Sequence, residues 1–309
     1  MTDLAHARRQ LAFPVLFVLL WSTGFIAAKY GLPYAPPLTF LLYRFALVAV
    51  LMTAVALATG ASWPQSMAEA GHVAVAAWLV HGLYLGGVFV ALAGGMPAGT
   101  SAMLVGLQPI LTVLIARGWL GEPVSPRQWA GLVLGLAGVW LVVRHKVSFS
   151  GDFAGLLPSA LALLGISVGT LYQKRYCTRV DLRSGAVIQF AACALLYLPL
   201  VLAFEGAPVR WTPDFLFALG WSVVVLSVGA ISLLYWLLRH GAAASVARLF
   251  YLVPPVTAVL AWLMFGETLD ALAIAGMAAI AVAVAMSRPP EPASSPADGD
   301  VRSVDRRRP

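Results

Sequence analysis

The stretches LQPILTVLIARGWLGE, Leu107–Glu122, and LVPPVTAVLAWLMFGE, Leu252–Glu267, are two versions of one phrase, 145 residues apart. Each carries a proline early in an apolar run and closes on Gly-Glu. The same offset maps Gly24 onto Gly169, Lys29 onto Lys174, Phe45 onto Phe190, Pro109 onto Pro254, Thr112 onto Thr257 and Gly131 onto Gly276. The repeat therefore runs through most of the chain. What it builds depends on the medium in which it folds.

Composition supplies the medium. Hydrophobic residues make up 61% of the 309 and charged residues only 11%, where soluble chains carry roughly 25% charged residues. The apolar residues lie in long runs such as Ala46–Ala58 and Leu269–Met286 rather than alternating on one face. The net charge of +7 would suggest nucleic acid in a polar chain, but here the basic residues flank apolar runs, as membrane anchors do. No nucleic-acid partner is expected. The partners are membrane lipids and a small-molecule substrate, and the sequence leaves monomer and homodimer open. Cys177 and Cys193 show neither disulfide nor metal spacing. The basic, apolar N-terminus resembles a signal peptide in outline, but its apolar run is too long and a second follows at once. It is read as the first transmembrane helix.

Spans of about 20 residues, enough to cross roughly 30 Å of hydrocarbon, are expected at 11–31, 37–59, 71–93, 98–117, 127–143, 154–173, 184–204, 215–238, 242–264 and 269–287. The expected fold is an all-α integral membrane protein of ten transmembrane helices. Residues 1–10 form a cytoplasmic N-terminus and 288–309 a disordered cytoplasmic tail rich in Pro, Ser, Asp and Arg. With the N-terminus inside, inner segments hold ten basic residues and outer ones four, Lys29, Arg144, Lys146 and Arg210. This bias puts both termini of a multi-pass cell-membrane protein in the cytoplasm, across the cytoplasmic membrane if the source is bacterial. Each repeat, 11–146 and 152–287, holds five crossings. An odd number forces the copies into opposite polarity, the arrangement that gives alternating-access carriers two gates around a midplane site.

WSTGFIAAKYG (Trp21–Gly31), PPLTFLLYRF (Pro36–Phe45) and the twin blocks ending at Glu122 and Glu267 resemble the EamA-type branch of the drug/metabolite transporter superfamily over about residues 10–287. The resemblance implies two inverted five-helix EamA repeats and a secondary carrier, often an exporter of amino acids or related small metabolites. It makes Gly24, Glu122, Gly169 and Glu267 fold signatures. The second copy departs from the first: Ile166 stands where the first has Trp21, and Gln189 where it has Arg44. The halves are therefore not expected to contribute equally to substrate contact.

Ionisable groups inside a membrane are costly unless solvated or paired. Lys29 and Arg44 approach the same outer half, with no acid on their own helices. They are read as snorkelling to the interface, as facing a wet cavity that attracts a carboxylate or phosphate, or as paired structurally with helix carbonyls. Gln108 is a polar candidate in an apolar helix, and Tyr84, Tyr172, Tyr235 and Tyr251 are candidate pocket walls. Pro109 and Pro254 are candidate bends, fixed or pivoting, and Arg248 is a candidate inner-gate residue. Glu122 and Glu267 are expected to cap a following helix or meet nearby cations. No carboxylate falls in mid-span, so coupling to protons or to substrate exchange needs another route, and no cofactor or metal is expected. There is no HExxH, metal-spaced cysteine pair or nucleotide-binding loop, so no enzyme is expected. The expected function is export of a small polar or zwitterionic metabolite. The alternatives are export of hydrophobic or cationic drug-like compounds and, in another class, a channel or non-transporting scaffold.

Overall fold

In the computed structural model residues 2–120, 125–146, 155–240, 249–268 and 270–286 are described, apart from some side chains within these ranges. Helix α1 spans Thr2–Gly31 and α2 Pro37–Ala58; α3 (Met67–Ala77) continues through a π-helical segment, Trp78–Leu83, into α4 (Tyr84–Ala93). Helices α5 (Ala98–Val105) and α6 (Gln108–Leu120) are followed by α7 (Pro126–Lys146), α8 (Leu156–Tyr176) and α9 (Leu182–Phe204). Helix α10 (Pro213–Gly220) passes through a second π segment, Trp221–Ala230, into α11 (Ile231–His240), and a 3₁₀ turn at Phe250–Leu252 leads into α12 (Val253–Phe265) and then α13 (Ala271–Met286).

Seven stretches among the described residues are long and apolar enough to cross a membrane, and α12 and the apolar part of α13 are shorter. Local caps explain where two helices differ from the expected spans. Helix α3 starts at Met67 rather than 71 because Ser66 Oγ accepts from Glu69 N while Glu69 reaches back to Gln65 N. Helix α13 starts at Ala271 because the Asp270 carboxylate accepts from Ala273 N at 2.6 Å.

The interior is aromatic and closely packed: Phe40, Phe45, Phe89 and Phe215 are wholly buried, and Phe40 lies edge-on to Phe215 at 5.6 Å. The outside keeps large apolar side chains, with Val50 70%, Leu195 72% and Leu202 78% exposed. A surface of that kind is stable against lipid and aggregates in water.

The two repeats pack so that equivalent helices lie against each other in opposite directions. Helices α2 and α9 pair along their length. Glu205 at the end of α9 accepts from Leu38 N and Thr39 N at the start of α2, at 2.8 and 2.7 Å. At their other end Arg183 and Ser184 donate to the carbonyls of Thr59 and Ser62. Helices α7 and α13 are antiparallel too, since Gly135 faces Ala283 while Gly138 faces Gly276 and Ile280. The π segments are also equivalent, because 145 added to 78–83 gives 223–228, inside Trp221–Ala230.

Glycine permits the closest approaches. A Cβ on Gly169 would sit 2.6 Å from Val80 Cγ2, and one on Gly165 would sit 2.8 Å from Leu79 O, so both let α8 lie directly on the first π segment. Gly24, the counterpart of Gly169, faces Leu226, on the second π segment, in a looser contact.

Candidate functional site

A cavity of about 310 Å³ runs from the α8–α9 loop, at Cys177 and Asp181, inward between α2, α8, α9 and the second π segment to Gln189 and Ser227. That volume suits a small metabolite. At its mouth the Asp181 carboxylate accepts from Arg183 N and pairs with the Arg183 guanidinium at 2.6 Å. These bonds hold the Asp181 carboxyl down to about 2, below the usual carboxylate range.

The deep end carries two pairs. Arg44, from α2, is 7% exposed. Its Nε and Nη2 donate to Ser227 Oγ at 3.4 and 3.2 Å, and Ser227 in turn donates to Ser222 O at 3.0 Å. Ser227 is the guanidinium's one hydrogen-bond partner among the described residues, although a guanidinium has five N–H donors. The second pair is His81 Nε2 with Gln189 Oε1 at 3.2 Å, the imidazole stacked on Phe190 at 4.7 Å. The offset relates these pairs: Arg44 maps onto Gln189, and Ser227 maps onto Gly82, the neighbour of His81. Each repeat thus supplies a polar residue from its second helix to a π segment of the other. Only the first repeat makes that residue a cation. Buried and short of partners, Arg44 favours an anionic oxygen arriving along the Ser227 side.

Lys29 lies elsewhere and is already paired. Its Nζ meets Glu267 Oε1 at 2.6 Å and stands 4.9 Å from the Phe265 ring. The same carboxylate accepts from Ala98 N and Gly99 N, at 2.8 and 3.2 Å. Glu267 therefore caps α5 in the other repeat, rather than only a following helix, and ties α1, α5 and the end of α12 together. Near it Tyr30 and Tyr34 share Asp214. The phenol of Tyr34, in the α1–α2 loop, is pushed up by donating to that carboxylate.

The other sequence candidates are dispersed. Tyr84 opens α4 directly after the first π segment. Tyr172 is away from the deep end, its hydroxyl 2.7 Å from His72 Nδ1 and its ring against Tyr176. Gln108 and Pro109 open α6 after a turn at Gly106–Leu107, and Pro254 opens α12 after its 3₁₀ turn, so each proline marks a break rather than an interior kink. The breaks touch: a Cβ on Gly106 would sit 2.9 Å from Pro254 Cγ. Glu122 and Arg248 fall outside the described residues, as do the side chains of Tyr235 and Tyr251. His81 and Ser227 are the residues that sequence reasoning missed. The offset pointed to Gln189, but a lone His in LVHGLYLGG gave no pattern to follow.

Paired antiparallel repeats, a lipid-type exterior and an internal cavity with a buried cation bonded to one of its wall residues, Ser227, fit a membrane transport protein. The chain belongs to the EamA-like transporter family, whose model matches it twice, over residues 10–144 and 153–288. Its relatives include an uncharacterized transporter, YvbV, of Bacillus subtilis (strain 168), 27% identical with 93% of each chain covered. Another is the "Probable terminal-alkyne amino-acid exporter" of Streptantibioticus cattleyicolor, 29% identical over 85% of this chain and 87% of that one. A solved crystal structure matches with a TM-score of 0.62 and 21% identity, covering 89% of this chain and 96% of that one, which shows a shared fold.

Proposed function

We propose that this chain is a secondary carrier that exports small polar or zwitterionic metabolites, amino acids or related carboxylates, by alternating access. In this reading ten helices form two inverted repeats, 11–146 and 152–287, and both termini are cytoplasmic. The observation that carries it is Arg44: a buried cation whose described partner, Ser227, lines a cavity of metabolite size. The exporter named above supports an amino-acid class, and the basic-residue bias supports the orientation. Polar contacts between elements agree with that sidedness. Lys29, Glu267, Ala98, Leu38, Glu205 and Asp214 meet at the expected outer end, while Thr59, Ser62, Arg183, His72 and Tyr172 meet at the inner end. The Lys29–Glu267 tie then closes the outer side while the cavity reaches the inner loop. A buried guanidinium repels cations, which weighs against cationic drugs as the main cargo.

The test is purified protein in vesicles loaded with labelled amino acids, organic acids, nucleosides and cationic dyes. Saturable efflux of carboxylate-bearing compounds, lost in Arg44→Gln at equal folded yield, is expected. A response confined to dyes moves the assignment to the drug-exporter alternative, and uniform unsaturable leakage removes every carrier reading.

A further inference from the structure

At the end of the molecule that carries His72 and Tyr172, helices α6 and α8 finish side by side. Trp119 near the end of α6, then Tyr172 and Tyr176 on α8, stand in a row of rings with centroids 6.4 and 4.7 Å apart. Tyr176 is stacked on His72 of α3 at 4.7 Å, and the Tyr172 hydroxyl lies 2.7 Å from Nδ1 of the same imidazole. Trp119 and Tyr176 nevertheless remain exposed. Three helices thus hold an aromatic shelf at a helix end, the level at which aromatic belts meet lipid headgroups.

Arg175 lies across this shelf. Its guanidinium carbon is 5.9 Å from the centroid of the Trp119 ring and 5.5 Å from that of Tyr176. Contacts of this kind place a guanidinium without consuming its N–H donors. Among the described residues Arg175 has no hydrogen bond and no ion pair, so all five donors face outward demand. Arg117 on α6, Lys174 on α8 and Arg179 in the following loop are exposed cations at the same end. The described acids nearby are engaged: Glu69 accepts from Gln65 N in the capping box of α3, and Asp181 pairs with Arg183. Away from this end α8 becomes apolar. Leu164 and Leu161 are exposed, and they lie about three and four turns before Arg175 on the same stripe of the helix, roughly 16 and 21 Å along its axis. Half of a bilayer with its headgroups is about 20 Å deep.

We propose that the paired ends of α6 and α8 hold one anionic phospholipid, with its phosphate on the Arg175 fork beside Trp119 and Tyr176 and an acyl chain along Leu164 and Leu161. The planar fork can donate to two phosphate oxygens at once. The three further cations favour a head of net negative charge over a zwitterionic one. The shelf is already assembled without the lipid, so little ordering cost falls on binding.

The experiment is native mass spectrometry of the full chain released from detergent, with dioleoyl phosphatidylglycerol, dioleoyl phosphatidylcholine or glycerol 3-phosphate added. The first phosphatidylglycerol is expected to bind at least about tenfold more tightly than phosphatidylcholine, and equimolar glycerol 3-phosphate is expected not to displace it. Arg175→Gln should cut the preference about fivefold, the effect of one basic group at a membrane surface. Arg210→Gln, which removes an exposed cation at the other end of the molecule, should leave it unchanged. If Arg175→Gln does not fold, Trp119→Leu, which removes the shelf and keeps an apolar side chain, is read in its place with the same expected loss. Equal affinity for the two lipids in the wild type overturns the site, as does a preference that survives in the folded variant or falls alike in Arg210→Gln. Displacement by glycerol 3-phosphate would make it a site for free phosphate and overturns the lipid.

Discussion

Glu267→Gln is the substitution that most directly probes closure at the Lys29 end. The change keeps the shape of the side chain and removes its charge. Lost with it are the ion pair with Lys29 Nζ, 2.6 Å away, and the charge assistance of the bonds from Ala98 N and Gly99 N. A charge-assisted hydrogen bond contributes about 1.5–3 kcal/mol when desolvated, and an exposed ion pair about 0.2–1 kcal/mol. The Glu267 side chain is 9% exposed and that of Lys29 31%, so the pair falls between, near ~1.5 kcal/mol. A weakened cap on α5 adds about 0.5 kcal/mol. Together, about 2 kcal/mol shifts the balance between closed and open ends roughly 30-fold toward open. The assay is labelling by a membrane-impermeant maleimide of a cysteine at Thr100, which is 1% exposed in the first turn of α5, in a chain whose Cys177 and Cys193 are replaced. Glu267→Gln should label ~30-fold faster at unchanged folded yield. Adding Lys29→Gln should then change the rate little, because the pair is already broken. An unchanged rate in Glu267→Gln, or fully additive effects of the two substitutions, would refute the latch.

Arg44→Lys should fold yet transport carboxylates at least tenfold less well than wild type, read in loaded vesicles, because an ammonium cannot reproduce the planar fork that reaches Ser227. At the mouth, folding depresses the Asp181 carboxyl to about 2, so its contribution to stability is complete above the unfolded carboxylate range and disappears as pH falls through about 2. Thermal unfolding in detergent should therefore show Asp181→Asn less stable than wild type at pH 6, with the gap narrowing between pH 4 and 2. Gly165→Leu should abolish folded yield, read by size exclusion, since its Cβ alone already meets Leu79 O at 2.8 Å. Reporters fused after Pro64, Pro97, Val147 and Arg179 should read inside, outside, outside and inside; a uniformly inward set refutes the topology.

The sequence shows the periodic features well and the pairings poorly. Lys29, Arg44, Gln189 and Glu267 all stand out in the repeat, because offset and charge are properties of the chain. That Lys29 meets Glu267, 238 residues away, is a property of packing, and no local pattern encodes it. Hydropathy likewise cannot distinguish a π segment from an α-helix, since both bury the same apolar side chains. The first π segment carries His81 and the second carries Ser227, so both missed residues are held by the feature that hydropathy hides. Pro109 and Pro254 are visible in the sequence as candidate bends; that each opens a helix after a turn, and that the two breaks meet through Gly106, is not.

Gln189 gives the clearest reason why the two halves cannot be chemically identical. An arginine there, restoring the symmetry of the repeat, would bring a second guanidinium to the deep end, against His81 and within the same cavity wall as Ser227. Two buried cations with no described acid hydrogen-bonded to either would carry a desolvation cost of several kcal/mol per ion, returned only while an anion was bound. In the proposed carrier the site could then hold a carboxylate but would resist releasing it, because the empty state is the one it must pass through to reset. A neutral amide keeps the position polar and joins the repeats through His81, leaving Arg44 as the single fixed charge. In the proposed carrier, inverted symmetry would supply two equivalent sets of helices to rock, and the break in that symmetry at Arg44 and Gln189 would allow the site to empty.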